Sequence, residues 1–257
     1  MLPELFLTAT AAAVSGVRAA GLRSGAVALW SRATRRRRDW AQHEDRCRAV
    51  VRQVAAELPR CRHVLVLGSG LLRDVDVPFL AETFERVTLA DAVHLLPARL
   101  AARRWPNVST VLLELTGALR MATGDVAERK ATLAPFAQDP TLDLVISANA
   151  LSQLPLGAEA MMARAAKLPP DLPELVVRWH LADLAAFPCR VCLLTDVSYR
   201  VVRRDGTVEE LVDLVRGAAL PDPAETWDWP VAPLGEVERD RAYIHRVHAF
   251  PDFHLPS

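Results

Sequence analysis

The stretch His63-Val-Leu-Val-Leu67-Gly68-Ser69-Gly70-Leu-Leu-Arg73-Asp74 decides the fold of this chain. An apolar, β-branched run stopped by glycine is what a strand covered on both faces of a parallel sheet looks like. Glycines at a strand-to-helix turn let the backbone approach a ligand closely. The next predicted strand, Arg86-Val-Thr-Leu-Ala-Asp91, ends on a carboxylate about 20 residues beyond that turn, where it can accept hydrogen bonds from both hydroxyls of a ribose. Gly68, Ser69, Gly70 and Asp91 thus read as a nucleoside pocket across one βαβ unit. The alternative is purely structural: the glycines turn the chain and Asp91 caps the next helix.

Working downstream, strands are expected over residues 108–115, 143–147 and 190–197, with helices near 78–84, 94–105 and 172–186. That alternation predicts a doubly wound, mostly parallel α/β sheet. After residue 197 the pattern departs from it: Asp205-Gly206 suits a hairpin turn, while Thr207 with Glu210 suits a capping box opening a helix. A Pro-rich passage, 220–235, leads to a last strand over 242–250.

Upstream, Trp40, Cys47, Val51, Val54 and Leu58 recur at the spacing of one helix face, an amphipathic helix that must dock on something. Residues 59–62 are a short tether, so that helix is expected to pack on its own domain. Residues 3–31 form a second helical stretch weakened by Gly16, Gly21 and Gly25, followed by the run Arg35 to Arg38. This stretch is expected to be a mobile cover or the contact of a homodimer, hinged at the arginines. The chain divides into an N-terminal helical extension, 1–58, and a main domain, 59–257.

Of the 257 residues, 51% are apolar and 24% charged, which supports a large core and excludes general disorder. Lys and Arg number 31, as do Asp and Glu, so no overall field favours nucleic acid. The longest uncharged run, 144–158, contains Asn149, Gln153 and Pro155 and cannot span a bilayer. The apolar segment 5–17 follows Glu4 and precedes Arg18, the wrong order for a secretory leader, so a cytoplasmic chain with reduced cysteines is expected. No metal site is expected. Cys189 and Cys192 lie three apart on a strand and face opposite ways, as do His245 and His248, and Cys47 and Cys61 are distant from them. His43, beside Glu44 and Asp45, is either an ordinary surface histidine or a site residue if its helix covers the pocket.

From about residue 62 to 250 the chain resembles the class I S-adenosylmethionine-dependent methyltransferases. The resemblance is carried by Val64 to Gly70, by Asp91, and by Asp143-Leu-Val-Ile-Ser147-Ala-Asn149-Ala-Leu-Ser-Gln153-Leu-Pro155, an apolar fourth strand followed by Leu-x-x-Leu-Pro. It implies a methyltransferase-like sheet whose C-terminal strand, 242–250, is antiparallel. It also implies S-adenosylmethionine as cofactor and a small molecule or polypeptide as methyl acceptor. Gly68, Ser69, Gly70 and Asp91 would contact the cofactor, Glu114 would meet the adenine in preference to Gly124-Asp125, and Asn149 would face cofactor or substrate. No catalytic residue is assigned, because a sulfonium is already an activated donor and needs mainly alignment. The Asn-Pro-Pro-aromatic signature of base methylation is absent. Three positions depart from the pattern. Val66 replaces an acid, Leu72 replaces a third glycine and is expected to crowd the methionine end of the pocket, and Arg73 stands where a dinucleotide loop wants glycine. Two other functions therefore stay open, a non-catalytic methyltransferase-like binding module and a NAD-linked oxidoreductase.

Overall fold

The computed structural model describes residues 2–14, 19–123, 128–163 and 168–255; Gly16, Gly124 and Asp125 lie outside them. In chain order the elements are α1 (Leu2–Thr10), β1 (Ala12–Ala13), α2 (Ala19–Arg35), α3 (Arg37–Ala56), β2 (His63–Leu67), α4 (Val77–Thr83), β3 (Arg86–Asp91), β4 (Val93–His94), α5 (Leu96–Ala102) and β5 (Val108–Leu112). There follow α6 (Ala118–Thr123), α7 (Ala134–Ala137), β6 (Leu142–Ala148), α8 (Leu154–Met162), α9 (Leu172–Ala185), β7 (Arg190–Arg203), β8 (Val208–Asp213), β9 (Glu225–Ala232) and β10 (Arg241–Phe250).

The main sheet runs β5-β3-β2-β6-β7-β10-β9, with β8 paired to the far end of β7. β5, β3, β2, β6 and β7 are parallel, and β10 is antiparallel to both β7 and β9. β2 is buried at every position. Its side chains alternate between two cores, as strand geometry dictates. Val64 and Val66 join Trp40, Cys47, Val51, Val54 and Leu80 on one face; Leu65 and Leu67 join Leu151, Val177, Leu181 and Leu184 on the other. Cys192 sits in the first core and Cys189 against the second, the opposed placement expected of them.

The apolar stripe of α3 packs on its own domain, and the Trp40 indole donates to the Val231 carbonyl of β9 at 3.1 Å. The preceding helices pack on the same chain in this arrangement. The Val14 N–H donates to Ala92 O (3.0 Å), β1 pairs with β4, and Leu7, Ala11 and Val27 bury Val93 and Leu95. Their continuity breaks at residues 11–14, where Ala12–Ala13 form β1, and at Arg36, the junction between α2 and α3. There the Arg35 and Arg36 guanidiniums hold Glu236 at 2.8 and 2.6 Å.

Asp205-Gly206 makes a hairpin and not a helix start: Gly206 has φ +89°, the Arg203 N–H donates to Thr207 O, and the Thr207 N–H donates to Asp205 Oδ1. β5 stops at Leu112, short of the expected Leu115. β9 arises inside the Pro-rich passage, where sequence periodicity predicts no strand. Pro230 is tolerated there because β9 is a sheet edge and the register slips beside it, between Tyr243 and Ile244. No helix among the described residues is long and apolar enough to cross a membrane.

Candidate functional site

The carboxyl ends of β2, β3 and β6 meet at the glycine turn, where open α/β sheets place ligands. Gly68 (φ +70°) donates its N–H to Ala90 O at 3.0 Å, and Gly70 (φ +39°) donates to Asp91 Oδ2 at 2.7 Å. The other Asp91 oxygen accepts from the Val93 N–H at 3.1 Å. Burial pushes the Asp91 carboxyl up from the ordinary carboxylate range, against the opposing pull of those two N–H groups. Asp91 does not cap the next helix, since α5 begins at Leu96 after Leu95, with no side-chain cap. The two glycines are not equivalent. A Cβ on Gly68 would lie 2.5 Å from Ala150 Cβ and 3.2 Å from Ala148 O, whereas one on Gly70 would meet Asp91 Oδ2 at an ordinary 3.7 Å.

Leu72 takes the left-handed backbone, φ +57°, that a glycine would adopt there. Its side chain does not crowd the glycine turn. It lines a separate groove of about 600 Å³ with Asp45, Arg48, Val75 and Val77. Arg73 is likewise committed, its guanidinium paired with Glu44 at 2.5 Å.

Beside the turn lies a cavity of about 80 Å³ lined by Gly68, Gly70, Asp74, Asn149 and Asp196, with Leu29 of α2, Trp40 of α3 and Trp229 of β9 as further walls. Ser69 Oγ, Asn149 Oδ1 and Trp229 Nε1, all from lining residues, are buried without a hydrogen-bond partner. Unpaired polar atoms converging on one space are what a site for a polar ligand offers. Asn149 lines the cavity; it is held in the left-handed region (φ +50°), and its N–H donates to Leu194 O of β7 at 2.8 Å, so it is not merely a local turn residue.

Asp196, near the middle of β7, is fully buried at this cavity. One oxygen accepts from the Ser152 hydroxyl and the other pairs with His245 Nδ1 at 2.5 Å. Burial alone would raise this carboxyl, but the His245 contact, with help from Ser152, holds it below the ordinary range. His245 stacks on Tyr199 and meets Trp229 edge-on.

His43 is 2% exposed and not a surface histidine. It stacks on Trp229 with ring centroids 3.9 Å apart, and the Trp227 indole donates to its Nδ1 at 3.1 Å. That contact assigns the ring hydrogen to Nε2, which faces Asp74 Oδ1 at 3.4 Å and lies 3.2 Å from Asn149 Nδ2. Burial alone would raise the Asp74 carboxyl, and the hydrogen bond from His43 leads the contacts that hold it down. Sequence offers His43 as a site residue only if its helix covers the pocket, and it assigns no role to Asp74, Asp196 or His245. The available signal for His43 is its place three residues after Trp40 and four before Cys47, on the buried stripe of α3.

Among the described residues, His43, Cys47 and Asp74 are the one trio that brings metal-ligand atoms within 4.8 Å of each other. Cys47 Sγ lies 3.8 and 3.7 Å from the two His43 ring nitrogens, of which Nδ1 already accepts from Trp227.

Glu114 is occupied locally. Its Oε1 accepts from the Thr116 N–H (2.8 Å) and hydroxyl, and its Oε2 from the Leu119 N–H (3.2 Å), so it ties down the start of α6 and does not line the cavity. Its competitors for the adenine, Gly124 and Asp125, lie outside the described residues.

No family model and no curated protein matches the chain. Among solved structures it is similar to the Burkholderia thailandensis 1,6-didemethyltoxoflavin-N1-methyltransferase, at 18% identity over 93% of this chain and 94% of that one, with a TM-score of 0.44. It is also similar to the N-methyltransferase NodS of Bradyrhizobium japonicum (14%; 83% and 87%; 0.37) and to the glycopeptide N-methyltransferase MtfA (13%; 82% and 94%; 0.35). The five parallel strands, the antiparallel β10 inserted between β7 and β9, and the glycine turn joined to the Asp91 carboxylate match the methyltransferase-like sheet that the sequence resemblance implies.

Proposed function

We propose that the protein is an S-adenosylmethionine-dependent methyltransferase acting on a small molecule or a polypeptide. The observation that carries this reading is the contact of Asp91 Oδ2 with the Gly70 N–H, which sets a carboxylate and a glycine turn side by side at the ends of adjacent strands. The residues present suit the cofactor: Asp91 would hold the ribose, and the unpaired Ser69 hydroxyl and Asn149 Oδ1 would satisfy its polar groups. When bound, the cofactor supplies an activated methyl on a sulfonium.

The chain's own residues then align the acceptor and remove a proton. Asp196 orients His245 through Nδ1, which leaves Nε2 to take the proton from the acceptor. The indole walls of Trp40 and Trp229 exclude water from the transfer. The cavity, about 80 Å³, is smaller than the roughly 300–1,000 Å³ usual for ligand sites, so it must widen for a cofactor to enter. That closed roof favours the second reading, a non-catalytic module of the same fold.

Titration calorimetry with S-adenosylhomocysteine and with NAD tests the proposal. Binding of the first alone is expected, and Asp91→Ala should weaken it by on the order of 2–4 kcal/mol through loss of charge-assisted hydrogen bonds. No binding of S-adenosylhomocysteine to the folded wild type would leave the non-catalytic reading standing. Binding of NAD would favour the oxidoreductase.

A further inference from the structure

Resting on the methyl-donor reading, we propose that Asp74 is the counter-ion for the cationic amino-acid end of the donor, and that α3 of the N-terminal extension positions it through His43. Asp74 lines the cavity together with Gly68, Gly70 and Asn149. Among the described residues no lysine or arginine pairs with it, and it faces the His43 Nε2–H at 3.4 Å. The arginines nearby are committed elsewhere: Arg73 to Glu44, and Arg48 to Asp45 and the Arg73 carbonyl. The cavity's other carboxylate, Asp196, already has His245.

The sheet order gives the direction. β2 lies between β3 and β6, so a donor with its ribose on Asp91 at the end of β3, lying over the Gly68–Gly70 turn, extends toward the end of β6. Asn149 and Asp74 stand at that end. The remaining portion of such a donor carries an ammonium group, which a carboxylate without a lysine or arginine partner suits. It also carries a carboxylate, for which the unpaired Ser69 hydroxyl and Trp229 indole N–H are neutral donors. His43 is a positioning residue. Trp227 fixes its tautomer and Trp229 its ring plane, and the N–H so aimed holds Asp74 at the cavity wall. A carboxylate set from the far end of the loop in this way takes over at a turn where Val66, fully buried in the core, offers none.

The test compares two ligands in a calorimeter: S-adenosylhomocysteine, and 5′-methylthioadenosine, which keeps the nucleoside and the sulfur but lacks the amino-acid group. Asp74→Asn is expected to weaken S-adenosylhomocysteine at least tenfold and to leave 5′-methylthioadenosine within twofold. His43→Gln should give the same split, which a merely structural histidine would not. Retained 5′-methylthioadenosine binding and an unchanged melting temperature show that the variants are folded. Unchanged S-adenosylhomocysteine affinity in Asp74→Asn, or an equal loss for both ligands, overturns the assignment of Asp74. A wild-type protein that binds neither ligand overturns the donor reading itself.

Discussion

Gly68→Ala is the sharpest probe of how the glycine turn is built. The added Cβ would fall 2.5 Å from Ala150 Cβ and 3.2 Å from Ala148 O, and the backbone at this position has φ +70°. Two penalties follow. An L-residue in the left-handed region costs about 1–2 kcal/mol, and forcing a methyl into packed backbone costs about 1–3 kcal/mol more. Gly70→Ala incurs only the backbone penalty, because its Cβ has room. Urea unfolding should therefore place Gly68→Ala about 1–3 kcal/mol below Gly70→Ala, a large share of the 5–15 kcal/mol typical of a domain. Ala150→Gly removes the nearest atom, so the double variant Gly68→Ala with Ala150→Gly should recover the packing portion and not the backbone portion. Equal stability of the two single alanine variants, or no rescue by Ala150→Gly, would show that the ends of β2 and β6 do not close on Gly68 as described.

Three further outcomes are expected. His180, fully buried with Nε2 3.0 Å from the Ser147 hydroxyl, is held down to about 4 by burial, with the Arg129 charge adding to it. The unfolded chain takes up that proton near pH 6.5 and the folded chain does not, so stability is full above pH 6.5 and falls as pH drops toward 4, by about 3 kcal/mol. His180→Gln should flatten that part of the stability–pH curve, and an unchanged slope in urea melts at pH 4.5 and 7 would contradict the assignment. Leu72→Gly should leave S-adenosylhomocysteine affinity within threefold, since Leu72 lines the other groove; a tenfold change in either direction would place its side chain at the cofactor. Deleting residues 1–34 uncovers Val93 and Leu95, at about 25 cal/mol per Å² of apolar surface. The shortened chain should melt at lower temperature and bind a hydrophobic dye, and a melt identical to the full chain would mean that α1 and α2 contribute no packing.

The sequence by itself determined the parts of this protein written in short-range pattern. The apolar run of β2, its glycine stop, the acid closing β3 and the period of α3 are each legible because burial on both faces, a left-handed turn and a helix stripe demand particular residues at fixed spacings. From these follow the doubly wound sheet, the contact of Asp91 with the glycine turn, and the docking of α3 on its own domain. Tertiary structure decided what depends on residues far apart in the chain. β9 was hidden because Pro230 is acceptable only where the sheet has an edge, and nothing local marks an edge. Leu72 looks like an obstruction until its backbone angle turns the side chain to the opposite side. Glu114 looks available until Thr116 takes one of its oxygens and the Leu119 N–H of α6 the other. His43, Asp74, Asp196 and His245 come from α3, the glycine loop, β7 and β10, and no spacing rule links them. Only the packing of α3 against β9 and the antiparallel pairing of β10 with β7 sets His43 on Asp74 and His245 on Asp196, the two carboxylates that line the cavity.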